Sequence, residues 1–167
     1  MSISFDVNEV EQVLYKHKDR IARIAFHYLK NWSDAEDMVQ DVLLKWMQKK
    51  PSFETDEHEK AWFIRITINS CKDKLRSFWH RKIDLPGETV VFPAAISEEE
   101  SRFMEVILSL PAKQRLVVLL HYYEGYSLNE IAELLHRSPN TVQTWNKQAK
   151  TSLRKMMGVT SFEKTTD

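Results

Sequence analysis

The chain has 167 residues, and 24 Lys and Arg balance 24 Asp and Glu for a formal net charge of zero. That balance excludes a bulk polyanion binder, so any affinity for nucleic acid has to come from local patches. A single cysteine, Cys71, excludes an internal disulfide, no Cys/His cluster has zinc spacing, and the scarcity of glycine favours an all-α fold.

The first helix is predicted from about Asn8 to Leu29. Val10, Val13, Leu14, Ile21, Ile24, Ala25 and Tyr28 keep a helical period, with Lys16, Lys18, Arg20 and Arg23 mainly between them. Asn31-Trp32 breaks the pattern. Ser33 and Glu36 then form a capping box for a second helix that runs to about Lys49, where Pro51 closes it. Its apolar stripe is Ala35, Met38, Val39, Val42, Leu43, Trp46 and Met47. Its other face carries Asp34, Asp37, Gln40, Asp41, Lys45 and Gln48, a mixture that suits a solvated face and a partner-binding surface equally.

A loop from Lys50 to about Thr55 precedes a third helix, Asp56 to roughly Trp79. Its core stripe is Ala61, Ile64, Ile68, Cys71 and Leu75, with Trp62 and Ile66 beside it. Arg65, Asn69, Lys72 and Arg76 line a different face, which Phe78, Trp79, His80, Arg81 and Lys82 extend. Basic residues interleaved with aromatics suit a strand that offers both phosphates and stackable bases. A solvated helix face is the plainer alternative.

From Ile83 to Ile96 the pattern lapses around Pro86-Gly87 and Pro93, which marks a linker. It divides the chain into two small helical domains, 1–82 and 97–159, with 160–167 as a polar, flexible tail. Leu85, Val90, Val91 and Phe92 give the linker an apolar surface with which to dock. Ser97 and Glu100 start a capped helix that buries Phe103, Met104, Ile107 and Leu108. The next helix, Ala112 to Tyr123, carries Leu116, Val117, Leu119, Leu120 and Tyr123, and Gly125 stops it.

Ser127 to Met157 reads as two helices joined by a very short turn. Ser127 and Glu130 form a capping box, and Leu128, Ile131, Ala132 and Leu135 share one face. Ser138 caps the following helix and Pro139 suits its first turn. That helix buries Val142, Ala149 and Leu153, with Trp145 and Met156 at the margin. Its opposite face carries Asn140, Thr144, Lys147 and Thr151, flanked by Gln143, Gln148, Arg154 and Lys155. Such side chains reach phosphates and base edges, and no acidic residue occurs between Glu133 and Glu163. Small Ala132 lets the pair cross closely, as a helix-turn-helix requires, although an ordinary helical hairpin has the same outline.

Taken together, these segments resemble the extracytoplasmic-function (ECF) sigma factors of bacterial RNA polymerase over nearly the whole chain. Asp34-Ala35-Glu36-Asp37-Met38-Val39-Gln40-Asp41-Val42 is similar to the D-A-E-D-x-x-Q-[DE] segment of the family's second region. Lys60-Ala61-Trp62-Phe63-Ile64-Arg65-Ile66, with Asn69, Asp73 and Arg76, resembles its K-A-W-L-x-x-I-x-x-N stretch. Leu110-Pro111, Arg115, Tyr122-Tyr123-Glu124-Gly125-Tyr126-Ser127, Glu130-Ile131-Ala132 and Thr141-Val142 follow the pattern of its fourth region.

The resemblance implies roles position by position. Asp34, Asp37, Gln40 and Asp41 would bind core RNA polymerase, at the clamp helices of the β′ subunit, with β as a further partner. The Lys50–Glu59 loop with Phe53, Trp62, Arg65, Asn69, Lys72 and Arg76 would hold the opened minus-ten element of promoter DNA and capture a flipped base. Ser138, Asn140, Gln143, Thr144, Lys147, Gln148 and Thr151 would enter the major groove of the minus-thirty-five element. The linker would thread toward the polymerase active-site channel. An anti-sigma factor is a further implied partner, the free protein is expected to be a monomer, and no catalytic residue, cofactor or metal is expected.

The chain departs from the family at Gln143, Trp145 and Gln148, positions that are often basic there. Fewer cationic phosphate contacts would weaken binding and flatten its salt dependence. An unusual promoter element is one reading, since glutamine pairs bidentately with adenine; greater reliance on the polymerase for affinity is the other. Trp145 suits packing better than base contact.

Two other function classes fit these residues less well. A stand-alone helix-turn-helix regulator would account for Ser127–Met157 but has no reason to carry the Asp34–Val42 and Lys60–Arg76 segments. An enzyme is disfavoured, because His17, His27, His58, His80, His121 and His136 are scattered and form no catalytic grouping in the sequence. With no long apolar run and no signal-peptide core, a cytoplasmic protein is expected, held at the membrane only through an anti-sigma partner.

Overall fold

The computed structural model describes residues 6–81 and 97–158, the side chains of residues 78–81 excepted. The predicted linker, Lys82, the side chains of the Phe78–Arg81 cluster and the predicted tail lie outside those residues. Every element among the described residues is helical, and they form two compact units.

The first unit holds α1 (Val7–Leu29), α2 (Trp32–Lys49) and α3 (Asp56–Arg81), each packed on the other two. Asp6 caps α1 by accepting from the Asn8 N–H at 3.0 Å, and Lys30 ends it in the left-handed conformation. That reversal takes a single residue. Asn31 therefore caps α2, accepting from the Asp34 N–H, and the predicted Ser33–Glu36 box does not form the cap. Asn caps as well as Ser does, and it stands first in line. Glu36 instead accepts from Trp32 Nε1 at 2.9 Å, while the Trp32 ring meets Phe26 edge-on.

Thr55 caps α3 through its hydroxyl, which accepts from the His58 N–H at 3.0 Å. The buried face of α3 differs from the predicted stripe. Phe63 and Thr67 are fully buried alongside Ile64, Ile68 and Cys71, whereas Ala61 and Leu75 are only half-buried. Two helices pack on α3, so it buries a broad arc rather than one narrow row. Burial pushes the Cys71 thiol up to about 12, which keeps it protonated and inert.

Among the polar side chains buried inside this unit is a histidine. His17 of α1 has no exposed surface and stacks on Phe63 of α3, ring centroids 4.1 Å apart. Its Nδ1 lies 2.7 Å from Arg20 and its Nε2 lies 2.8 Å from Glu59 Oε1. A guanidinium only donates, so Nδ1 accepts and Nε2–H donates to the Glu59 carboxylate. That pairing fixes a single neutral tautomer. Burial is the main reason its pKa falls below the ordinary histidine value, and the nearby Arg20 charge adds to the effect against the pull of Glu59.

The second unit holds α4 (Glu98–Leu108), α5 (Ala112–Val118), α6 (Leu128–Leu135) and α7 (Pro139–Met157). The predicted box at Ser97 and Glu100 is complete in both directions. The single helix predicted from Ala112 to Tyr123 is not uniform, because Leu119–Tyr123 forms a π-helical turn. The wider turn feeds a sharp exit: the Tyr126 N–H bonds to Leu120 O, His121 Nδ1 donates to Tyr126 O at 2.6 Å, and Gly125 takes a φ of 76°. A left-handed residue is needed there, and glycine supplies it without strain.

Arg115 was expected as a motif residue, yet it is buried. Its guanidinium donates to Leu108 O at 3.1 Å and Leu110 O at 2.6 Å, meeting carbonyls that the end of α4 leaves over. Around it, Ile107, Leu110, Val118, Ala149 and Leu153 form a shared core, so α7 is seated on α4 and α5 together.

Arg115→Met is expected to lower the stability of this unit by about 2–3 kcal/mol, because two buried carbonyls lose a charged donor; chemical denaturation measures it. His17 gives a pH signature. The unfolded chain takes up a proton near the ordinary histidine value while the folded chain resists until a lower pH, so stability declines as pH falls through that window. Melting temperature is expected to drop between about pH 7 and 5, and His17→Phe to drop less across the same range.

Candidate functional site

Three exposed faces carry the residues predicted to act. On α2, Asp37, Gln40 and Asp41 are exposed and make no hydrogen bond or ion pair with the described residues. Asp34 stands apart at the edge of this face: it is half-buried and lies 3.8 Å from Lys74 of α3. Its charge is partly spent inside the unit. Leu44, one turn beyond Gln40 and Asp41, is 54% exposed and was missed from the sequence. An apolar residue on the polar side of an amphipathic helix was the available signal.

On α3, Arg65, Asn69, Lys72 and Arg76 are exposed in one row about 16 Å long. Arg65, Asn69 and Lys72 are unpaired among the described residues, while Arg76 pairs with Asp73. Trp62 heads the same row and lies against Phe53, ring centroids 5.8 Å apart. Phe53 also meets His58 at 5.4 Å, and Trp62 meets Phe63 at 4.9 Å. Side chains far apart in chemistry, a loop phenylalanine and a helix row of cations, are thus brought together at the start of α3.

Phe53 also lines a cavity of about 360 Å³ with Glu9, Val13, Trp46, Lys50, Pro51 and Glu59. This corner is strongly acidic. Glu54, Asp56, Glu57 and Glu59 follow one another within a few residues. Lys16 of α1 moderates the charge, lying 3.1 Å from Asp56 and 3.3 Å from Glu59; its bond to Asp56 is the main reason its own pKa rises.

On α7, Asn140, Gln143, Thr144, Lys147 and Thr151 are exposed along the face away from the core. The turn before it is a Schellman arrangement, with the Arg137 N–H bonded to Ala132 O, the His136 N–H bonded to Glu133 O, and His136 left-handed. Ser138 is occupied as the cap, accepting from the Thr141 N–H at 3.2 Å. Thr144 and Thr151 each donate their hydroxyl to the carbonyl one turn back, at 2.9 and 3.0 Å. What they present outward is a methyl and oxygen lone pairs.

Two predicted positions read differently in place. Gln148 is exposed but its side-chain oxygen lies 3.4 Å from Gln114 Nε2, which turns it toward α5. Trp145 is half-buried beside α5, with Lys113 Nζ 5.4 Å from its ring centroid, so it packs. Asn146, expected on no face, is buried in the core side of α7.

Comparison with known proteins bears on all three faces. Residues 14–81 match the Sigma-70 region 2 family and residues 100–153 match Sigma-70, region 4. The chain is 32% identical over 132 residues to the RNA polymerase sigma factor SigV of Bacillus subtilis, covering 77% of this chain and 78% of that protein. It is 28% identical over 153 residues to the ECF RNA polymerase sigma factor SigM of Mycobacterium tuberculosis, covering 89% and 76%. Among solved structures, the sigma factor RpoE of Bartonella quintana, crystallised with the anti-sigma factor NepR, shares the fold with a TM-score of 0.77 at 23% identity, over 92% of this chain and 99% of that one. Both matched segments contain the exposed faces just described, in the order the sequence motifs predict, and the chain belongs to the extracytoplasmic-function sigma factors of RNA polymerase.

Proposed function

We propose that this sigma factor divides its work between the two units, 1–82 and 97–159, with 83–96 as the connection. The observation that carries the reading is that each matched region presents an exposed polar face whose side chains are mostly uncommitted within the fold. Polar side chains with no partner inside the fold give up no internal bond when they meet an outside surface, so they suit an interface. The α2 face, Asp37, Gln40 and Asp41 with Leu44 beside them and Asp34 at the edge, docks on core RNA polymerase. Charge draws the partners together and Leu44 adds buried apolar area at the centre.

The α3 row and the Phe53–Trp62 cluster hold the melted minus-ten element. The cations follow the phosphates while the aromatic rings supply stacking surfaces for unpaired bases. The α7 face lies in the major groove of the minus-thirty-five element, with Asn140, Gln143 and Lys147 able to pair with base edges and phosphates. Gln143, Trp145 and Gln148 are uncharged where the family pattern is often basic, so this face carries fewer cations than that pattern implies. Its affinity for DNA then depends more on attachment to the polymerase.

The chemistry of transcription belongs to the polymerase, and this chain supplies address and melting. As a subunit that works with core polymerase on promoter DNA, it acts in the cytoplasm. Regulation by an anti-sigma factor follows from its membership of the family.

Purified protein mixed with bacterial core polymerase in moderate salt, without DNA, is expected to be retained stoichiometrically. Gln40→Ala with Asp41→Ala is expected to weaken that retention about tenfold with an unchanged circular-dichroism spectrum. Full retention of the double variant would remove the α2 face from the interface. No retention of the wild-type chain, beside specific duplex binding by the chain alone, would favour a stand-alone regulator. Thr144→Ala with Lys147→Ala is expected to reduce promoter-specific transcription and lower the salt slope of DNA binding by about one, with core association intact.

A further inference from the structure

The proposed minus-ten site has walls but little frame of its own. Residues 50–54 form no helix, and among the described residues Glu54 is tied only by a 3.4 Å bond from its N–H to His58 Nδ1. Its carboxylates also oppose the approach of a DNA strand. Something outside the loop has to set the positions of its side chains.

We propose that His17, on α1 and outside every face assigned above, is the positioning residue of the minus-ten site. The inference rests on the reading of Lys50–Glu59, the loop together with the first turn of α3, as that site. His17 reaches both walls at once. Through Nε2–H it holds the Glu59 carboxylate at 2.8 Å, and Glu59 lines the cavity beside Phe53. Through its face it stacks on Phe63, which lies against both Phe53 and Trp62, at 6.4 and 4.9 Å between centroids.

Arg20 locks the arrangement. Its donation to Nδ1 forces the ring proton to Nε2, where it serves Glu59. Lys16 meets the other Glu59 oxygen and Asp56, so one ammonium from α1 is shared between two of the four carboxylates around the loop. An apolar residue would fill the same space. It could not choose which way Glu59 points, and a fully satisfied buried polar group specifies orientation in a way that a methyl group does not.

The test uses the full chain bound to core polymerase and single-stranded 12-mers randomised at every position. Strands captured by the holoenzyme are sequenced, and the enrichment of one base at one position is the readout. Wild type is expected to show a preferred base. His17→Phe, which keeps a ring on Phe63 but loses both nitrogen bonds, is expected to reduce that enrichment about tenfold, as a lost charge-assisted bond implies. His17→Gln, which keeps a donor toward Glu59, is expected to restore part of it. Core retention is expected to be unchanged in both.

Phe53→Ala serves as the reference. The double variant His17→Phe with Phe53→Ala is expected to be no worse than Phe53→Ala alone, since both act through one loop. Enrichment lost in Phe53→Ala but kept in His17→Phe would overturn the role of His17 and leave the loop reading standing. No preferred base in wild type, or one that survives Phe53→Ala, would overturn the loop reading itself. Should His17→Phe fail to fold, Arg20→Gln removes the lock from the far side of the ring. It is expected to lower the enrichment, and wild-type enrichment in it would count against the proposal.

Discussion

Phe63 is the contact on which the first unit turns. It has no exposed surface, and it meets a helix, a loop and its own neighbour at once: His17 of α1, Phe53 before α3, and Trp62 beside it. Aromatic stacking of this kind is directional as well as apolar, so it sets angles and not only distances. The row Arg65, Asn69, Lys72 and Arg76 runs from the same helix, and its placement relative to the loop follows from that one ring. The polar face on α2 owes its position to a separate set of contacts, because α2 rests on α1 and α3 together.

The second unit depends on a different device. Arg115 gathers the carbonyls at the end of α4 and buries its charge among them, and the π turn at Leu119–Tyr123 swings the chain into α6. Those two features present α7 with its polar side outward. A short helix pair such as α6 and α7 buries little by itself, so the shared core of Ile107, Val118, Ala149 and Leu153 is what fixes its orientation. The unit's recognition face is therefore as dependent on α4 and α5 as on its own sequence.

Much of this was legible in advance. Periodicity and caps located the helices because Ser97, Ser127 and Ser138 act through local backbone bonds, which the sequence states directly. The exposed faces of α2, α3 and α7 were legible for the same reason. What escaped were tertiary facts. Asn31 displaced Ser33 as a cap because Lys30 ended α1 abruptly, and Phe63 entered the core because two helices cover α3. The link from Lys16 and His17 to Asp56 and Glu59 joins residues some forty positions apart, and no period within α1 announces it. Gln148 and Trp145 were ambiguous until α5 was seen beside them.

Cys71 carries a consequence for how the first unit can be watched. It is the chain's one thiol, it is fully buried between helices, and it stays protonated at any physiological pH. Oxidants in solution therefore find no reactive thiolate on the folded unit. The same burial makes the thiol a native clock: its rate of alkylation counts how often the three helices part, without any engineered labelling site.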